Sequence, residues 1–369
     1  MIASNITRSL YRHLAKPYFF ARDPEMIHDR MTDLGKRLGR YRVTRDLVSS
    51  FLSYQHPSLA QTILGIPFKN PIGLAAGFDK NAELTNIIPS VGFGFEEVGS
   101  ITGEPCDGNA KPRLWRLPAS KGLLVHYGLK NDGCETIASR LRGKTFSAPL
   151  GTSIAKTNSP CTVDVEAGIA DYEKAFRALS SIGDYFTINI SCPNAFGGEP
   201  FTDPARLDLL LNRLDTIETK KPIFLKLPAD LPLETIDQLI AITDKHRVHG
   251  LIAANLTKKH DASTINQTEI FGKEKGGISG KPVEDLSNAL ISHLYQTARS
   301  RYILIGCGGV FSAQDAYEKI RRGASLIQLI TGMIFEGPQL IGEINRGLVG
   351  LLRRDGYANI SQAIGSKLR

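Results

Sequence analysis

From Pro71 onward, short and almost uninterrupted apolar runs alternate with longer stretches in which apolar residues recur every three to four positions. The runs at 72–76, 95–100, 150–155, 185–191, 223–227, 250–254, 302–306 and 325–330 have the length and composition of strands buried on both faces. Segments of helical period lie between most of them, at 171–182, 205–219, 233–246, 283–299 and 313–322. Strands without a polar face, separated by helices, predict a parallel sheet covered on both sides. Eight such units spread over about 250 residues predict an α/β fold of the closed (β/α)8 kind, a TIM barrel, rather than an open doubly wound sheet.

The first forty residues follow another pattern. Ile6, Leu10 and Leu14 share one face of a short helix that Pro17 should end. Asp23-Pro24-Glu25 then supplies an N-cap, a proline at the first helical position and an early acid for a second helix over about 26–38. The expected organisation is a small N-terminal two-helix domain over 1–45 and a catalytic barrel over 46–369. Two apolar stripes with a basic edge suit packing on the barrel, contact with a membrane surface, or both. No stretch approaches the ~20 apolar residues of a spanning helix. Arg8, Arg12, His13 and Lys16 interrupt the leading segment, which therefore does not read as a secretory signal.

Charge sharpens this picture. The chain carries a net +8, with ten Lys/Arg against five Asp/Glu in residues 1–50 and nine against five in 301–369. Basic ends attract anionic lipid or are simply solvated. No basic run is interleaved with aromatics, so no nucleic-acid partner is expected. The five cysteines (Cys106, Cys134, Cys161, Cys192, Cys307) form no C-x-x-C, so no metal site is expected and reduced thiols are the default.

Polar and glycine-rich residues gather just after the strand ends, where barrel active sites lie. Ala75-Ala76-Gly77 with Lys80 follows strand 1; it reads either as a tight turn or as a close approach to a flat ligand, with a cation at the mouth. Asn189-Ile190-Ser191-Cys192-Pro193-Asn194 follows strand 4 and is the most specific signal. Its asparagines can read an amide-containing ring, and Cys192 can take a proton if its thiolate is favoured by its surroundings. Lys226 stands inside an apolar strand, a costly position unless it meets an anion or an electron-rich ring. Asn255 follows strand 6. Glycine turns follow at 276–280, at 306–309 and at Thr331-Gly332; the last two, after strands 7 and 8, together mark a phosphate site, since late barrel loops hold phosphates.

These blocks, with Asp23-Pro24-Glu25 and His28, Asn70–Gly77, the run Lys111-Pro112-Arg113-Leu114-Trp115-Arg116-Leu117, and the turns at 276–282 and 305–309, resemble the dihydroorotate dehydrogenases. The resemblance runs nearly end to end and is nearest to the membrane-associated, quinone-using class 2 members. It implies one FMN, oxidation of (S)-dihydroorotate to orotate in pyrimidine (UMP) biosynthesis, and reoxidation by a quinone through a tunnel under the helical domain. It further implies peripheral attachment at the cytoplasmic face of the cell membrane; the oligomeric state stays open, with a monomer preferred. Carried over by position, Ala76, Gly77, Lys80, Ser100, Ser153, Asn189, Lys226, Gly280, Gly309, Ile330 and Thr331 would surround the flavin, with Lys226 meeting its reduced charge. Lys80, Asn189, Asn194 and Asn255 would hold the substrate, Cys192 would be the base, and His28 and Arg116 would flank the quinone entrance.

The departures are specific. Cys192 stands where class 2 members use serine, as in the soluble class 1 enzymes. Val125 and Ser153 replace asparagines, Ala254 and Leu256 replace threonines, and Ile330 replaces a tyrosine. An FMN enzyme of the same fold acting on another pyrimidine or cyclic amide is the nearest alternative. A tRNA dihydrouridine synthase-like enzyme is disfavoured by the placement of charge at the chain ends, and a flavin-free sugar-phosphate isomerase or lyase leaves Lys226 and the Asn189–Asn194 loop unexplained.

Overall fold

The computed structural model describes residues 2–273, 275–298 and 301–369; Arg299, the last residue of the helix expected over 283–299, lies outside them. The described residues form a closed barrel of eight parallel strands, each inside or beside a predicted run. These are β1 (Ile72–Leu74), β2 (Phe95–Ile101), β3 (Leu150–Ile154), β4 (Tyr185–Asn189), β5 (Ile223–Leu227), β6 (Gly250–Ala253), β7 (Ile303–Cys307) and β8 (Leu326–Leu329). They pair in sequence order, and β8 returns to β1 with Leu329 opposite Leu74. The helices Val165–Leu179, Pro204–Asp215, Leu233–Thr243, Glu284–Ala298 and Ala313–Arg321 bury their apolar faces on the outside. The first begins at Val165 because Asp164 caps it, its carboxylate accepting from the Ala167 amide at 2.9 Å.

The floor of the barrel closes by size complementarity. A Cβ added at Gly73, Gly151 or Gly250 would lie 2.2–2.3 Å from the ring of Phe95, Tyr185 or Phe224, so each glycine makes the space a neighbouring aromatic fills. An antiparallel hairpin, Gln61–Ile63 with Ile66–Phe68, plugs this end with Ile63, Ile66 and Phe68. Above the floor, the buried Glu97 carboxylate accepts from Thr187 Oγ1 at 2.8 Å and Gln328 Nε2 at 2.9 Å. With the floor sealed, ligand access is left to the carboxyl rim.

A second sheet stands over that rim, made of Leu114–Leu117, Gly122–Val125 and Gly277–Gly280 in antiparallel order. The sequence pattern assigned no strand to the first two and read the third as a glycine turn. Four-residue strands are too short to show a period.

At the N-terminus, Pro17 does not end the helix, contrary to expectation. α1 (Ile2–Leu10) passes through a π-turn at Tyr11–Ala15 into α2 (Lys16–Phe20). The Lys16 amide donates to the Tyr11 carbonyl, five residues back, and this wider turn leaves room for a ring that would clash in regular α pairing. α3 (Pro24–Arg40) starts as expected, Asp23 accepting from the Met26 amide at 2.7 Å. A further helix, α4 (Arg42–Leu52), was not among the expected elements; its Val43, Leu47 and Phe51 face outward. The helical region thus runs to Leu52, across the position where a boundary at 45 was expected.

One buried ion pair fastens α3 to the rim. Glu25 meets Arg113 in a two-pronged contact, Nη2–Oε1 2.8 Å and Nε–Oε2 3.1 Å, with Lys111 at 3.2 Å. Arg113 also donates to the carbonyls of Asp107 and Asn109 at 2.6 and 2.7 Å. Burial alone would raise the Glu25 carboxyl, but hydrogen bonds and charge from Arg113 and Lys111 outweigh it and hold the pKa at about 2. Because the folded value lies below the ordinary one, this stabilisation is present above about pH 4.5 and lost as pH falls towards about 2. Glu25→Ala strands the guanidinium and should cost about 3–5 kcal/mol of helix docking, read as faster amide exchange across Pro24–Arg40. Acidifying the wild type through the same pH window should reproduce that loss.

Candidate active site

The rim and the overlying sheet enclose a cavity of about 1330 Å³, counted out to its open mouth. Ala76, Gly77, Lys80, Ser100, Asn189, Cys192, Asn194, Lys226, Asn255, Gly280, Gly309, Ile330, Thr331 and His28 all line it. Ser153 and Arg116 do not. Ser153 stands behind Ser100, their hydroxyls 2.8 Å apart. Arg116 lies on the outer side of the rim sheet, donating to the Arg22 carbonyl at 2.7 Å and packing over the Phe20 ring.

The amides form a connected wall. Asn189 Nδ2 donates to Ser100 Oγ at 2.8 Å, and Asn189 Oδ1 accepts from Ser191 Oγ at 2.7 Å and the Ser191 amide at 3.1 Å. Asn255 Nδ2 donates to the Ser191 carbonyl at 2.7 Å and to its hydroxyl at 3.0 Å, which leaves Asn255 Oδ1 as an acceptor facing the cavity. Asn194 is held by the rim sheet: its Nδ2 donates to the Val125 carbonyl at 2.9 Å and its Oδ1 lies 3.3 Å from His126 Nδ1. These side chains are locked before any ligand arrives.

Two lysines bring positive charge. Lys226, on β5 opposite Asn189 of β4 and Ile252 of β6, is 4% exposed and borders the cavity. Its ammonium has no hydrogen-bond or ion-pair partner among the described residues, an expensive state unless a ligand completes it. Lys80 Nζ lies 2.9 Å from His28 Nε2 and 4.4 Å from the Tyr127 ring centre. Burial lowers the Lys80 ammonium to about 8, and burial followed by the neighbouring Lys80 charge drives His28 well below its ordinary value. A neutral imidazole therefore accepts from a cationic lysine.

Cys192 faces the cavity beside Pro193 and Asn194. Burial pushes its thiol up to about 11, against a backbone hydrogen bond from Asn194 and the charge of Lys156 that pull it down. A favoured thiolate is therefore not the resting state, and deprotonation becomes a step the site must assist.

The glycine turns converge. A Cβ at Gly280 would meet Thr331 Cγ2 at 2.9 Å, and Ser279 Oγ lies 2.8 Å from Thr331 Oγ1. Gly309 has φ +76°, and a Cβ there would strike Glu284 at 2.4 Å, so only glycine keeps this turn open toward the cavity. Cradle, amide wall and unpartnered ammonium fit a flat ring with a phosphate tail.

Several contributors were missed in the sequence. Tyr127 lies under the ammonium of Lys80 and beside Arg113, and the sequence offered only its place before Gly128. Lys156 is 3% exposed behind the Cys192 loop; a lysine two residues past a strand end carries no signal of burial. Lys319, fully buried behind the β7 turn, donates to Ser287 Oγ and Asn288 Oδ1 at 2.9 and 3.0 Å and sits on a helix face that reads as polar.

Comparison with known proteins agrees with this geometry. The family model for dihydroorotate dehydrogenase matches residues 58–352. A protein of Gloeobacter violaceus named dihydroorotate dehydrogenase (quinone) is 37% identical, covering 96% of this chain and 98% of its own. Its namesake in Natronomonas pharaonis is also 37% identical, covering 95% and 98%. Among solved structures, DHODH of Eimeria tenella in complex with ferulenol superposes with a TM-score of 0.82 at 28% identity, covering 94% of this chain and 96% of that one. By sequence across nearly its whole length and by the shape of its barrel, the chain belongs to the dihydroorotate dehydrogenase family.

Proposed function

We propose that this chain oxidises (S)-dihydroorotate to orotate with FMN as its bound cofactor, and that the electrons leave to a quinone. The observation that carries this reading is Lys226, a buried ammonium beside a cavity with no ion-pair partner among the described residues. FMN, when bound, would supply the two-electron acceptor. Ala76, Gly77, Ser100, Asn189, Lys226, Gly280, Gly309 and Thr331 would hold it, Lys226 offsetting negative charge in its reduced form. Ser153 acts at one remove, by fixing Ser100.

Lys80, Asn189, Asn194 and Asn255 bind and orient the dihydropyrimidine, Lys80 pairing with its carboxylate and Asn255 Oδ1 accepting from a ring N–H. Cys192, as its thiolate, takes the C5 proton while the C6 hydrogen leaves with its bonding pair, as hydride, to the two-electron acceptor that FMN would supply, so that a C5=C6 double bond forms. Val125, Leu256 and Ile330 put apolar surface where relatives of this family present polar groups. That difference favours, as a second reading, the same chemistry on a less polar cyclic amide.

The quinone reading draws on an apolar passage. Leu114, Leu123, Val125, Phe311 and Ile334 line the cavity on the side toward Phe20 of α2. Ile6, Leu10, Leu14 and Tyr18 are each about half exposed or more on the helical segment 2–20. No described helix is long and apolar enough to cross a membrane. We infer peripheral contact at the cytoplasmic membrane face through this segment, with Arg116 beside the passage and His28 at its inner end. In this proposal the helical region, through Leu52, makes the membrane contact and the barrel beyond it carries the chemistry.

The purified protein should be yellow, should bleach anaerobically with dihydroorotate, and should regain colour with a quinone but not with fumarate or NAD. Bleaching by another cyclic amide and not by dihydroorotate would select the second reading. Cys192→Ala should keep flavin yet slow bleaching about 10²–10⁴-fold. Since the thiol sits at about 11, only on the order of one molecule in 10⁴ carries thiolate at pH 7, and the bleaching rate should climb about tenfold per pH unit from 6 to 9; a plateau below pH 7 would exclude this base. Lys226→Met should slow bleaching about 10²–10³-fold, measured by stopped-flow absorbance on flavin-loaded protein.

A further inference from the structure

Beside the loop that carries Cys192 is a second, smaller space, which shares Leu129, Asn189 and Cys192 with the substrate cavity. It is lined by Lys156, Tyr172, Asn189 and Cys192, among others. Lys156 follows the end of β3 and is 3% exposed, and its ammonium donates to the Phe196 carbonyl at 2.5 Å, four residues past the cysteine. Asn158 from the same segment accepts from the Phe196 amide at 2.7 Å. A strand end thus grips the loop from beneath by both groups of one residue, with a buried cation placed on the protein side of the cysteine.

We propose that Lys156 is a positioning residue for the reaction, a buried cation that favours the deprotonated form of Cys192 while tethering its loop. The inference rests on the reading of Cys192 as base. The surroundings of the thiol single out this lysine. Glu199, from the same loop, opposes deprotonation and is itself paired with Lys258 at 2.5 Å. Cys106, from the loop after β2, adds a further unfavourable contribution, and the buried Tyr172 hydroxyl donates to the Asn189 carbonyl. Asp171 is spent on the amides of Gly103 and Thr157 and the Thr157 hydroxyl. The Asn194 backbone and Lys156 are what act in the other direction. A buried ammonium is dear to maintain, since burial lowers the Lys156 pKa, and the nearby thiolate restores part of that cost. The two groups are linked: proton loss from Cys192 becomes easier while Lys156 keeps its proton.

The test measures the thiol itself. On flavin-loaded protein, iodoacetamide labelling of Cys192 at pH 8, followed peptide by peptide, reports the thiolate fraction without turnover. Lys156→Gln keeps a donor for the Phe196 carbonyl but removes the charge; it should label Cys192 at least ~tenfold more slowly, while Cys307, which borders the same substrate cavity, labels as before. Lys156→Arg should stay within a few fold of wild type. Equal labelling of Cys192 in wild type and Lys156→Gln overturns the proposal, as does a tenfold fall in a flavin-loaded Lys156→Arg, which decides the matter if the glutamine variant does not fold. Failure of the base assignment shows separately, as unaltered bleaching in Cys192→Ala.

Discussion

A lysine ammonium held inside a β-barrel with no acidic partner among the described residues is the constraint to which the rest of the site answers. Desolvating such a group costs several kcal/mol, and the fold surrounds it without neutralising it. β5 is apolar on both sides of Lys226, the floor below is filled by aromatics against glycines, and the buried Glu97 carboxylate makes no ion pair with it, accepting through Oε2 from Thr187 and Gln328 while its Oε1 has no hydrogen-bond partner among the described residues. The charge is left for a ligand. The locked amides of Asn189 and Asn255 and the converging turns at Gly280, Gly309 and Thr331 determine what shape that ligand takes.

The access side is built from different material. Three short antiparallel strands roof the cavity, and the Glu25–Arg113 pair ties the helical region to them. This arrangement separates two routes by polarity. Lys80, His28 and Tyr127 mark a polar side suited to a charged substrate; Leu114, Leu123, Phe311 and Phe20 mark an apolar side suited to a lipid-soluble oxidant. Under the proposed function, one cavity between them would let reduction and reoxidation take place at the same cofactor.

The barrel was legible because parallel strands buried on both faces leave continuous apolar runs, and every one of the eight became a strand. The residues after the strand ends were legible for a related reason: polar groups placed there have no structural use that composition would predict. What escaped notice depended on geometry rather than period. Pro17 sits in a helix because a π-turn precedes it, α4 turns its large apolar residues outward, and the rim strands are too short to show alternation. Lys156 and Lys319 look like surface lysines until the fold buries them. The state of Cys192 was the least readable of all, since it follows from the balance of burial against the Asn194 backbone hydrogen bond and one distant-in-sequence cation.

The most direct test of the central claim is the ionisation of the reduced flavin, read from its absorbance during anaerobic titration between pH 6 and 9. If Lys226 lies against the ring as its missing partner implies, the reduced flavin should remain anionic across that range, and Lys226→Met should bring a neutral form into view. A wild-type protein whose reduced flavin is neutral at pH 7, or one that takes up no flavin, would contradict the account.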